Sequence, residues 1–282
     1  MAKHFLPDPE FKLELERVEA TTKRDEKAYR SSLALNQSLL KGILSVSPSH
    51  AEYLRLNPEE TPALAFGSAL HTLVLEPNEF NKRYAVLPEC DRRTKEGKAI
   101  YEDFCLSNAG KTVLKNDDYI KLVSMAAKSR PFFDEKQAIK SFHEMTFSGT
   151  YAVTDGQFKG KRVEVKAMFD AIYQFEDRVV IKDLKSVSDI SNVTGASYGF
   201  GWAVQSAFYH DLGQFLYRKD VSFDYVAQSK EEPYDVREYA VSDEMFAKGR
   251  ASYYSAINRW LWWDANGRPD TAEFLGKQTL NG

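Results

Sequence analysis

Residues 162–174 read RVEVKAMFDAIYQ, and apolar side chains recur at every second position: Val163, Val165, Ala167, Phe169, Ala171 and Tyr173. Only extended backbone puts alternate residues on one face. The run is therefore predicted to be a long β-strand, with Arg162, Glu164, Lys166, Met168, Asp170 and Gln174 on its more polar face. The flanks tighten this constraint. IKSFHEMTFSGTYAV before it is rich in aromatic and β-branched residues, DGQFKGK between them is turn chemistry, and QFEDR leads into a third run, VVIKDLKSV. Three strands in succession with short turns predict an antiparallel meander. Adjacent strands lie about 4.8 Å apart, so Asp170 on the second strand and Asp183 and Lys185 on the third can converge.

The remaining pattern is mostly helical. Residues 9–30 are charged with scattered apolar positions and no glycine, which predicts an exposed helix or a partly ordered arm. LNQSLLKGILSVSPSHAEYLRL predicts two short helices broken at Ser47-Pro48, and ALAFGSALHTLVL a helix packed closely on other backbone and ending near Glu76-Pro77. Further helices are predicted over 94–108 and 116–129. After the meander, TGASYGFGWAVQSAFYHDLGQFLY predicts a long helix on which Gln205 and Tyr209 share a face. VSFDYVAQ and YDVREYAV predict two more strands, and residues 243–265 a closing helix. The order specifies a mixed α/β domain with a helical N-terminal elaboration. An arm over residues 1–35 is expected to precede a single domain over 36–282, helical to residue 136 and built on the sheet from 137 onward.

Composition narrows the class. At 282 residues and 43% hydrophobic, the chain can fill a substantial core. It lacks an apolar run of about 18 residues, as a membrane span requires, and a signal-like N-terminus, so no membrane association and an intracellular location are expected. Two cysteines, Cys90 and Cys105, are too few for a disulfide framework, a four-cysteine zinc site or an iron–sulfur cluster. A net charge of −3 is not that of a nonspecific polycationic coat, and directs attention to local basic clusters: Arg92, Arg93, Lys95 and Lys98, and Lys159, Lys161, Arg162 and Lys166.

Asp170 with Asp183-Leu184-Lys185 is the constellation that can carry chemistry. Cleavage of a phosphodiester with a metal needs hard oxygen ligands, and gains from a nearby cation that orients water and offsets charge on the phosphate. The two aspartates supply the oxygens, Lys185 the cation, and the Leu184 carbonyl a further ligand. Asp-x-Lys on its own is more often a solvated face with a modest ion pair. The added Asp170 and the following Gln205 and Tyr209 make the pattern more specific.

GSALHTLVLEP, DRRTKEGKAIYEDF and the order Glu144, Asp170, Asp183-Leu184-Lys185, Gln205-x-x-x-Tyr209 together resemble the nuclease domain of exonuclease VIII, the RecE family of phage and prophage recombination nucleases. That family lies in the PD-(D/E)XK superfamily, whose αβββαβ core, a mixed sheet flanked by helices, matches the order of elements read above. The resemblance implies metal binding by Asp170 and Asp183, with Leu184, His71 and Glu144 adding donors. It implies catalysis by Lys185 with His71 and Glu144, supported by Gln205 and Tyr209. It also implies Mg²⁺, with Mn²⁺ able to substitute, and 5′ to 3′ resection of double-stranded DNA ends in the cytoplasm of a bacterial host. A homo-oligomeric ring and a single-strand annealing partner belong to the same expectation. Arg92, Arg93, Lys95 and Lys98 are the expected DNA contacts. The family's basic residue shortly before the first aspartate is missing, since Lys166-Ala167-Met168-Phe169 leads into Asp170. The alternatives are a structure-specific or repair endonuclease of the superfamily and a non-catalytic DNA-binding recombination accessory protein.

Overall fold

The computed structural model describes residues 4–21, 29, 31–59, 61–193, 195 and 201–276. Along these the chain forms β1 (Lys12–Thr21), α1 (Gln37–Ser45), α2 (Pro48–Leu56), α3 (Pro62–Leu75), β2 (Tyr84–Val86), α4 (Lys95–Ser107), β3 (Thr112–Leu114) and α5 (Asn116–Ser129). It continues through β4 (Lys140–Asp155), β5 (Arg162–Gln174), β6 (Arg178–Val187), α6 (Trp202–Tyr217), β7 (Asp220–Ser229), β8 (Val236–Ala240), α7 (Asp243–Ala265) and α8 (Thr271–Leu275). Side-chain caps fix the starts of the N-terminal helices. Asn36 accepts from Leu39 N on α1, Ser47 from His50 N on α2 and Thr61 from Leu64 N on α3, with Pro48 and Pro62 in the first turns.

The six-stranded sheet has the order β1-β4-β5-β6-β7-β8. β4, β5 and β6 form the antiparallel meander, and α6 carries the chain back so that β7 lies parallel to β6. Both faces are covered. Leu40 and Ile43 of α1, Ala207 and Phe208 of α6, and Tyr253 and Ile257 of α7 pack against Val165, Phe169, Ile181 and Phe223. Leu70 and Val74 of α3 with Leu122 and Met125 of α5 pack against Ala171, Tyr173, Leu184 and Val226 on the other face. This is the mixed α/β architecture of a PD-(D/E)XK nuclease. Among the described residues no helix is long and apolar enough to cross a membrane.

Three expectations need correction. Residues 12–21 are a strand, paired antiparallel with β4, where the sequence predicted a helix or a loose arm. Register shifts between Lys12 and Leu13 and between Leu15 and Arg17 break its alternation, so only Leu13 and Val18 are buried and the period of two is hidden. The helix after β6 was expected to run from residue 194; residues 194 and 196–200 lie outside the described residues, and α6 starts at Trp202. Gly201 stands at φ +66°, in left-handed backbone through which a right-handed helix cannot run. Third, β5 does not keep Val163 to Tyr173 on one face. Val163, Val165, Ala167 and Phe169 face α6 and α7, but past Asp170 Ile172 takes that side and Ala171 and Tyr173 turn toward α3 and α5. β4 changes phase at the same rung, where Glu144 adopts φ +51°. Apolar residues suit either face of a sheet covered on both sides, so the sequence alternation runs through a point where the strand rotates.

Candidate active site

The phase change opens the sheet. Beyond the rung Ala171↔Lys182, β5 and β6 no longer pair, while β6 stays on β7 as far as Val187↔Ser229. The backbone of Leu184, released from β5, finds new partners: its N–H donates to Asp170 Oδ2 at 2.8 Å, and its carbonyl lies 2.7 Å from His71 Nε2. His71 Nε2 is also 3.3 Å from Asp170 Oδ2. The Leu184 side chain anchors this point in the α3–α5 core. Leu70 and Val74 dock α3 on that same core, which brings His71 over the gap.

Asp183 and Lys185 flank Leu184. Asp183 is 2% exposed; its Oδ1 accepts from Gln205 Nε2 at 2.5 Å, and Lys185 Nζ forms an ion pair with its Oδ2. Asp183 Oδ2 is buried with Lys185 as its partner, and Gln205 Oε1 is buried without a hydrogen bond. Tyr209, one turn along α6, stacks edge-on against Phe169 at 4.5 Å, and its hydroxyl meets the Met168 backbone. Glu144 is buried opposite Asp170 and close enough to His71 to raise its pKa.

Burial and neighbouring charge set the protonation states. Burial alone would depress the His71 imidazole, but Asp170 and then Glu144 outweigh it and raise it to about 9. Burial would raise the Asp170 carboxyl; His71, Lys185 and the Leu184 N–H hold it below its ordinary value instead. The Asp183 carboxyl goes the other way, up to about 6, chiefly through burial, with Lys185 opposing and Asp170 adding.

A buried carboxylate (Asp183), a partly buried one (Asp170), a main-chain carbonyl and an imidazole at one opening form a mixed oxygen and nitrogen donor set. Among the described residues no three His, Cys, Asp or Glu side chains make a ready cage, so the Leu184 carbonyl is an essential part of the fit. Asp183 Oδ2 is buried with the Lys185 ammonium as its partner, so a cation at this oxygen would share it with Lys185. The oxygen donors that could hold a divalent ion here are Asp170, Asp183 and Leu184 O, with Glu144 at the edge, and His71 could join them only by giving up the Nε2 proton that it shares with Leu184 O and Asp170.

Lys41 was not among the residues expected near this site. It lies on α1 with much of its length buried; burial first and Lys185 second push its ammonium down to about 8, while Asp183 pulls it up. The signal was available: Lys41 is the one charged residue in the run Leu39-Leu40-Lys41-Gly42-Ile43-Leu44. The basic clusters behave differently from expectation. Arg92 lies over the Tyr101 ring at 4.1 Å, Arg93 is bound to Asp91, and Lys95 and Lys98 are exposed on the first turns of α4; none is linked to the Asp183 site by any contact among the described residues. The second cluster is dispersed. Arg162 pairs with Glu16, and Lys166 is buried, donating to Tyr29 O and Ser32 O. Glu164 is tied to Arg17 and Thr150, well away from Asp170 along the strand.

A family model described as a PDDEXK-like domain of unknown function matches residues 38–274. No curated protein matches the chain in sequence. Among solved structures the chain is similar to a protein from Eubacterium rectale described as "Putative exonuclease", with TM-score 0.57 and 15% identity, over 87% of this chain and 85% of that one. At that identity the likeness is one of fold.

Proposed function

This chain belongs to the PDDEXK-like family, and on that premise we propose that it is a metal-dependent exodeoxyribonuclease that hydrolyses phosphodiester bonds at double-stranded DNA ends. The observation that carries the proposal is the opening between β5 and β6, where Asp170, Asp183, Leu184 O and His71 converge with Lys185 beside them. When bound there, a divalent ion, Mg²⁺ or in its place Mn²⁺, supplies Lewis-acid chemistry: it offsets charge on the scissile phosphate and makes water acidic enough to attack.

The protein's part is orientation and charge. Gln205 fixes the rotamer of Asp183 through Oδ1 and leaves Oδ2 to Lys185. Leu184 N–H and His71 hold Asp170 ionised and in place. Lys185 carries the ammonium that can orient the attacking water and meet the negative charge of the phosphate. Tyr209 packs on Phe169, next to Asp170, and stiffens the strand that carries the carboxylate.

The direction of degradation, 5′ to 3′ in phage-type recombination, a ring-shaped homo-oligomer, an annealing-protein partner and action in the host cytoplasm are parts of the same proposal. They are supported by the RecE-like motifs around His71, Arg92 and Asp183. Linear and covalently closed duplex DNA incubated with the protein in Mg²⁺ or in Ca²⁺ provides the test. Degradation of linear DNA alone, in Mg²⁺ alone, and its loss in Asp183→Ala are expected. Equal degradation by the variant and the wild type would refute the assignment.

A further inference from the structure

Lys41 has an unusual placement for a surface-helix lysine. Its neighbours Leu39, Leu40 and Ile43 are buried, and α1 is wedged between α2, α6 and α7. The lysine stem crosses the start of α6 directly over Gly201: a Cβ there would lie 2.4 Å from Lys41 Cδ and 2.7 Å from Cγ. Gly201 is therefore small for a second reason besides its positive φ, since any side chain would displace the lysine. Beyond Gly201 the ammonium comes within electrostatic reach of Lys185 and Asp183. Among the described residues no carboxylate stands in ion-pair contact with it.

A partly buried ammonium with no counter-ion costs stability, and a second cation beside Lys185 adds repulsion. Attraction to Asp183 offsets part of this, and among the described residues Lys41 caps no helix end and bridges no loop. The arrangement becomes favourable once an anion lies between the two ammonium groups. In a nuclease the anion that enters such an opening is a phosphate of the bound strand, and a lysine serves it as a point charge without reading sequence.

Building on the nuclease reading, we propose that Lys41 binds a backbone phosphodiester of the substrate strand, holding the strand against the carboxylates while Lys185 serves the attacking water. Lys41 is thus a substrate-binding residue on a wall of the site formed by the N-terminal helices.

The test compares the full-length wild type with Lys41→Met, Lys41→Gln and Lys41→Arg. Binding of a linear duplex is measured by fluorescence anisotropy in Ca²⁺ across a KCl series, turnover in Mg²⁺, and thermal unfolding in chelator. Lys41→Met and Lys41→Gln are expected to weaken binding about tenfold and to shift turnover mainly through KM. They are also expected to lower the slope of log K against log salt by about 0.9, the value of one phosphate contact. Lys41→Arg should recover most of the binding. Unfolding temperatures of the neutral variants should equal or exceed that of the wild type, since an incompletely compensated charge is removed. A wild-type KM and salt slope in whichever neutral variant folds, or a marked loss of thermal stability with an unchanged slope, would overturn the assignment of Lys41. Failure of the wild type to degrade DNA with any divalent ion is a separate result, and would remove the nuclease reading instead.

Discussion

Asp183 concentrates the electrostatic demands of the site in one side chain, 2% exposed and with one carboxylate oxygen paired to the Lys185 ammonium. Removing it in Asp183→Ala is expected to lower activity at least a thousandfold, in the range of losses from removing a principal group of a catalytic site. Mg²⁺ should raise the unfolding temperature of the wild type, because a ion bound only by the folded state stabilises it, and should leave that of Asp183→Ala nearly unmoved. The His71–Asp170 pair makes a pH prediction for the metal-free protein. Asp170 and Glu144 raise His71 from the ordinary 6.5 to about 9 in the folded protein, so its contribution to stability is fully present below about 6.5 and is lost as pH rises through 9. Asp183, raised from 3.8 to about 6, acts in the same direction over a lower window, losing its contribution as pH climbs through 6. Unfolding temperature in chelator should therefore fall from pH 6.5 to 9.5, and the fall should be shallower in His71→Gln. A parallel fall in both proteins would remove the His71 assignment.

At the scale of elements, most helices and strands were legible because caps and periodicity act locally. The predicted break at Ser47-Pro48 falls between α1 and α2, and the closing helix predicted over 243–265 is α7. β1 was not legible, since bulges erase its alternation and its partner β4 lies more than a hundred residues away. The coupled phase change at Glu144 and Asp170 was not legible either, because apolar side chains are acceptable on both faces of the sheet. The packing of α6 on α7 yields another prediction. A Cβ at Gly249 would lie 1.9 Å from the Ala203 carbonyl oxygen and 2.7 Å from Ala207 Cβ. Gly249→Ala should destabilise the fold by about 2–3 kcal/mol in chemical denaturation, because overpacking at backbone contact cannot be relieved by a rotamer change. It should also reduce activity, since α6 positions Gln205 and Tyr209.

For the whole molecule, a net charge of −3 leaves little general attraction for DNA, so processive resection would depend on enclosure of the duplex. The ring proposed above predicts an oligomer by light scattering at activity-assay concentrations; a monomer that degrades kilobase-long duplex in one encounter would contradict it. Arg92 and Arg93 are exposed on the approach to α4, outside the Asp183 site, and are candidates for an outer phosphate clamp. Arg92→Ala with Arg93→Ala should weaken duplex binding and flatten its salt dependence while Mg²⁺ still stabilises the protein, and an unchanged slope would exclude the clamp.

By itself the sequence determined the helices with their caps, the three-stranded meander, and the residue types that chemistry at Asp170, Asp183 and Lys185 requires, because each depends on local periodicity or on identity. Tertiary structure alone decided where β5 and β6 part, and with it the convergence of Leu184 O, His71 and both aspartates. It alone brought Lys41 from a separate helix across Gly201 at the start of α6, within electrostatic reach of Asp183. Those outcomes depend on two strands rotating together at Glu144 and Asp170 and on helices packing across the sheet, and no local pattern of residues encodes either.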